Sequence, residues 1–235
     1  VKAPIILAVD TPDFEIARRW IEATQDSVSV YKLGLEFFLT FGREGVRSIK
    51  EEFGVDIFLD LKLHDIPNTV AHAAAAVADL SPRFLTIHAS GGPTMVKAAV
   101  EAAPLVDITA VTILTSLSED DLFLIGYSQP ALESAVALAK LSVDSGARAI
   151  VCSPLEIAAI RSTVGAETTI ITPGVRPADS AASDDQVRTM TPTDAIKAGA
   201  NFLVIGRPIT GEWKNGAAAM SDAARAIAEE INSAL

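Results

Sequence analysis

Eight short apolar runs, each closing on polar residues or glycine, recur along the chain at residues 5–10, 28–34, 57–63, 84–89, 108–114, 149–153, 169–174 and 202–206. They are rich in Ile, Val and Leu and continuous rather than alternating, the pattern of strands buried on both faces. Between them the period lengthens. Phe14, Ala17, Trp20 and Ile21 fall at helical spacing, as do Val46, Ile49 and Phe53. The stretches 71–80, 95–103, 131–145, 155–164 and 193–198 follow the same rule, and 217–235 reads as a closing helix. Strand and helix alternate eight times with no linker or low-complexity break. That predicts an α/β fold, a single (β/α)8 TIM barrel of one catalytic domain over residues 1–235. The competing arrangement is a doubly wound open sheet. Its G-x-G-x-x-G fingerprint is missing after the first strand, where Asp10-Thr11-Pro12-Asp13 stands. Two connections exceed what a strand-to-helix turn needs, residues 115–130 and 176–192, and each reads as a binding loop or a solvated insertion.

Composition adds limits. With 235 residues, 49% of them hydrophobic, the chain is large enough for a sizeable core. A single cysteine, Cys152, excludes an internal disulfide framework and fits a reducing compartment. No stretch approaches the ~18 consecutive apolar residues of a membrane helix. Val1-Lys2-Ala3-Pro4 runs into the first strand without a leader pattern, so a cytoplasmic protein is expected, its natural start differing from Val1. The net charge of −11 and the lack of any Lys/Arg stripe argue against nucleic-acid binding. An anionic ligand would need a local basic pocket to overcome that field.

In a barrel the site lies at the C-terminal ends of the strands, so the residues there carry the chemistry. Strand one ends in Asp10; strand two carries Lys32 before Gly34; strand three ends in Asp60 and Lys62, with Asp65 just beyond. Strand four ends near His88 and strand five at Thr115 and Ser116. Side chains alternate along a strand, so Asp60 and Lys62 point the same way. Asp10, Lys32, Asp60, Lys62 and Asp65 are expected to converge as alternating carboxylates and ammoniums, each favouring its neighbour's charged form. The bland alternative is a structural ion pair capping a strand. Thr172-Pro173-Gly174-Val175-Arg176 and Gly206-Arg207 follow the last two strands, where barrels commonly hold phosphate with backbone N–H groups and a cation.

Other candidates carry less. His64 and His72 lack a metal spacing, and His64 is read as packing or support behind the site. Asp60 and Asp65 could hold Mg²⁺, but Lys62 competes for both. Cys152 reads as a small buried hydrophobe. Ser116 has neither a G-x-S-x-G elbow nor an evident histidine partner.

Asp60-x-Lys62-x-x-Asp65-Ile66-x-x-Thr69 resembles the signature of the orotidine 5′-monophosphate decarboxylases. The likeness extends over Leu7–Asp10, Tyr31–Gly34, residues 111–116, 172–177 and 204–208. It implies conversion of orotidine 5′-monophosphate to uridine 5′-monophosphate and CO2, with no metal or organic cofactor, by a homodimer with sites at the subunit interface. By that resemblance Lys62 delivers the proton to pyrimidine C6 and Asp60 faces the departing carboxylate. Asp65 and Thr69 reach into the partner's site. Asp10 and Lys32 bind the ribose hydroxyls, and Thr115 lies near the pyrimidine. Arg176, Gln186, Gly206 and Arg207 hold the phosphate, with Gln186 also touching the base. Two alternatives stand beside it. One is a Mg²⁺-dependent sugar-phosphate decarboxylase or aldolase of the same superfamily, whose second strand offers a glutamate; here Glu36 falls two residues past Gly34. The other is a non-catalytic barrel that binds a phosphorylated ligand.

Overall fold

The structure, a computed structural model, describes residues 2–176 and 190–235. Eight parallel strands close into a barrel in chain order: β1 (Ala3–Ala8), β2 (Val28–Leu33), β3 (Asp56–Leu63), β4 (Phe84–His88), β5 (Asp107–Val111), β6 (Ala149–Val151), β7 (Thr169–Thr172) and β8 (Phe202–Ile205). β8 returns to pair with β1, Val204 against Ile6, which leaves no sheet edge. The expected barrel is therefore present, each strand inside or within a few residues of its apolar run.

Helices α1 (Phe14–Thr24), α2 (Leu35–Phe53), α3 (Pro67–Ala78) and α4 (Gly92–Ala102) follow the first four strands. α5 (Glu119–Leu124), α6 (Ala131–Asp144), α7 (Ile157–Val164), α8 (Pro192–Lys197), α9 (Arg207–Thr210) and α10 (Ala217–Asn232) complete the shell. α2 breaks at Gly42, whose φ of 61° is open to glycine at little cost. The 115–130 connection is not a bare insertion. It holds α5, where Ser118 caps the helix, accepting from the Asp121 N–H while Asp121 returns the bond.

Two apolar layers hold this together. Outside the barrel, Ile5, Leu7, Leu33, Ile57, Leu59, Leu85 and Ile87 meet helix residues such as Ala17, Ile21, Phe37, Val46 and Ala74. Inside, Ile6, Val30, Phe58, Phe84, Ala149 and Ile171 form a separate plug. Phe84 stacks edge-on against Phe58 at 5.8 Å and Phe202 at 5.7 Å, and the Arg83 guanidinium lies over Phe84 and Phe202. Phe84 and Phe202 open their strands, so the plug fills the N-terminal end. Two residues further along, the period of 2 brings Ala8, Lys32, Asp60 and Thr86 to the same interior. Apolar floor and charged upper layer come from one alternation.

Candidate active site

The charges above the plug form a chain. Lys32 Nζ lies 3.1 Å from Asp10 Oδ1 and 3.6 Å from Asp60 Oδ2. Asp60 Oδ1 takes the Lys62 ammonium at 2.8 Å. Asp60 is 7% exposed, so the centre of the array is largely removed from water while Asp10, at one end, is exposed. Burial alone would push its carboxyl up. The charges of Lys32 and Lys62, with hydrogen bonds from Lys62 and Thr86, outweigh burial and hold it below the usual carboxylate value. Gly34, next to the array, has a spatial reason: a Cβ there would stand 3.2 Å from Lys32 Nζ and 3.4 Å from Asp10 Oδ1.

Of the five charges expected to converge, four do. Asp65 stands apart in this chain. It is exposed, its Oδ1 accepts the N–H of Ile66 at 2.6 Å, and it makes no ion pair among the described residues. Lys62 has a φ of 47°, and β3 ends one residue later at Leu63, two residues short of Asp65. Thr69 is also exposed, near the start of α3, with Ile66 66% exposed beside it.

Two cavities open over the array. The first, about 200 Å³, has Lys32, Asp60 and Lys62 on one side. Apolar walls from Phe58, Val111, Ile113, Leu114, Val151 and Val204 face them, and Thr115 stands at the edge. The second, about 450 Å³, is lined by Asp10, Gly174, Arg176, Gly206, Arg207 and Thr210. Lys32, Pro173 and Val204 line both, so the two join. The joined space suits a flat ring at the apolar end and an anion at the arginine end. Arg176 N–H donates to the Met190 carbonyl at 3.0 Å, which ties the two described ends of the 176–192 connection together. Gln186 lies outside the described residues.

Some positions shift from expectation. β5 ends at Val111, so Thr115 and Ser116 sit in the following loop and not at the strand end. Thr115 still reaches the first cavity; Ser116 is exposed. Cys152 is 1% exposed and burial pushes its thiol well up, which keeps it protonated, as a small hydrophobe on the cavity wall. His64 is exposed and its ring lies 5.4 Å from that of His88. Among the described residues, no group of three or more His, Cys, Asp or Glu gathers as a metal site. No helix there is long and apolar enough to cross a membrane.

The sequence reading missed Thr86. Its hydroxyl donates to Asp60 Oδ1 at 2.9 Å and accepts the Lys62 backbone N–H at 2.8 Å. The available signal was a hydroxyl in an apolar run, two positions from Phe84 and two from His88.

The family model described as Orotidine 5′-phosphate decarboxylase / HUMPS family matches residues 3–222. The orotidine 5′-phosphate decarboxylase of Thermobifida fusca (strain YX) is 54% identical over 222 residues, 94% of this chain and 95% of the relative. That of Gluconobacter oxydans (strain 621H) is 44% identical over 238 residues, 98% of each. The crystal structure of orotidine 5′-phosphate decarboxylase from Lactobacillus acidophilus superposes with a TM-score of 0.84 at 34% identity, covering 98% of this chain and 100% of that one.

Proposed function

The chain belongs to the orotidine 5′-phosphate decarboxylase / HUMPS family, and we propose that its charge array performs that decarboxylase's reaction. Orotidine 5′-monophosphate loses CO2 and becomes uridine 5′-monophosphate, the last step of de novo pyrimidine synthesis. One observation carries the reading: a Lys62–Asp60 pair faces an apolar slot that joins an arginine-bearing cavity.

The chemistry follows from where charge develops. When the C6–carboxylate bond breaks, its electron pair stays on C6 in the plane of the ring, where the ring π system cannot spread it. A fixed ammonium at that point stabilises the transition state through a field that needs no reorganisation. Lys62 supplies it and then gives an Nζ proton to C6, so the amine is left neutral and recovers its proton from solvent. Asp60 aims the Lys62 ammonium through their 2.8 Å bond, and faces the departing carboxylate. Repulsion between the two is relieved as CO2 leaves. Lys32 holds the other oxygen of Asp60 and, with Asp10, binds the ribose hydroxyls. Thr115 borders the pyrimidine. Arg176, Gly206 and Arg207 hold the phosphate, together with Gln186. Phosphate binding is remote from the breaking bond, and its energy orders the reacting end.

The exposed Asp65, Ile66 and Thr69 support a homodimer in which Asp65 and Thr69 complete the partner's site. The protein is then cytoplasmic, acts on a small molecule, uses no nucleic acid or membrane, and works without metal or organic cofactor.

The decisive test is the fall in orotidine 5′-monophosphate absorbance with purified protein, with and without excess EDTA. Loss of substrate insensitive to EDTA is expected. No turnover by folded protein would sink the reading and turn attention to sugar phosphates with Mg²⁺. Lys62→Ala should abolish turnover while uridine 5′-monophosphate still binds; retained turnover would end its role as proton donor.

A further inference from the structure

We infer that Thr86 is the positioning residue of this site: its single hydroxyl locks the Asp60 carboxylate and the Lys62 backbone into one geometry. The β3–β4 ladder runs in register up to Leu59 against Leu85 and resumes only at Leu63 against Ile87. Between those pairs three residues of β3, Asp60–Lys62, lie opposite one of β4, Thr86. A bulge leaves backbone groups without ladder partners, and here the Lys62 N–H goes to Thr86 Oγ1 at 2.8 Å. The same residue has a φ of 47°, in the left-handed region that a lysine adopts only when its surroundings fix it.

The hydroxyl's capacity is used in a directed way. A threonine has one proton to donate. The N–H of Lys62 occupies a lone pair, so the proton is aimed elsewhere, and it goes to Asp60 Oδ1 at 2.9 Å. That is the oxygen which also takes the Lys62 ammonium at 2.8 Å. Thr86 is thus bonded to both ends of the reacting pair, and it is fully buried, so water cannot substitute for it. Valine matches its shape and offers neither bond. Serine keeps both bonds and loses only a methyl group.

This inference rests on the decarboxylase reading, and the wild type on orotidine 5′-monophosphate tests that reading first. Thr86→Val should then lower kcat roughly 10- to 100-fold, the size expected for losing a hydrogen bond to a charged group, with KM within about threefold of wild type. Thr86→Ser should stay within about fivefold of wild type, because the hydroxyl remains. The Asp60 carboxyl, followed by ¹³C NMR, should titrate at higher pH in the valine variant only. A folded valine variant with wild-type kcat would overturn the inference. So would equal losses in valine and serine, which mark a packing role. Thr86→Ala is the second hydroxyl-free variant if the valine does not fold, read by the same criteria. If the wild type leaves the nucleotide untouched, the decarboxylase reading fails and the Asp60 titration decides: a rise confined to the hydroxyl-free variant keeps Thr86 as the holder of the pair, and no rise ends it.

Discussion

Lys62 shows how a single residue trades stability for chemistry. Its φ of 47° costs a non-glycine residue about 1–2 kcal/mol. Lys62→Gly should therefore be more stable to urea than Lys62→Ala by about 1 kcal/mol, although both lose turnover. Equal midpoints would show that the turn stores no strain. Gly34 presents the reverse case, where a small residue makes room for a large one. Gly34→Ala puts a methyl 3.2 Å from Lys32 Nζ and displaces the ammonium from Asp10 and Asp60. We expect kcat/KM to fall at least about tenfold while the melting temperature changes little; unchanged kinetics would show that Lys32 can move freely. His88 makes a pH prediction. Burial, then the charges of His64 and Lys62, lower its value, and Asp60 only partly opposes them. A histidine lowered in the folded state takes its proton first in the unfolded chain, so stability is full above the unfolded value near 6.5 and falls as pH drops below it. Asp60, lowered from 3.8, remains ionised through that window and adds no slope there. Urea midpoints at pH 7.5 and 5.5 should differ less in His88→Gln than in the wild type.

At the level of elements, strands were easier to read than the turns that set the site. Runs such as Ile5–Asp10 are visible because both faces of a barrel strand are buried, and Asp60 because alternation from Phe58 turns it inward; Lys62 meets it across an irregular segment that alternation does not describe. The β3 bulge was not legible, since no glycine marks it and Thr86, which fixes it, lies 24 residues from Lys62. Asp65 was expected in the array because spacing measures distance along the chain and not where the segment beyond β3 leads. The helix inside the 115–130 connection was passed over, although Ser118-x-x-Asp121 is a capping signal. That cap gives a test. Ser118→Ala removes the bond to the Asp121 N–H and the hydroxyl that helps keep the Asp121 carboxyl low. Amide exchange should quicken at Asp121 and Leu122 while the global unfolding midpoint stays put. Protected amides in the variant would mean that packing of the buried Leu122, not the cap, holds α5.

For the whole molecule the question is whether one chain can finish the reaction. The chain carries a net charge of −11, so an anionic nucleotide is drawn in only by local cations, here Lys32, Lys62, Arg176 and Arg207. Among the described residues Asp60 is the one carboxylate paired with Lys62, and Asp65 is exposed together with Ile66 and Thr69. A two-fold dimer would return the same residue to the partner, since each surface then meets its own copy. Mixing inactive variants tests this. In a dimer of Lys62→Ala with Asp65→Ala, one site would lack both groups and the other would hold an intact Lys62 and an intact Asp65. If chains exchange at random, half the dimers are mixed and each has one good site of two. Activity should then recover to about a quarter of wild type from two samples with none. Were Asp65 to serve its own chain's Lys62, every site in the mixture would lack one group, and no activity would return however long the chains exchange.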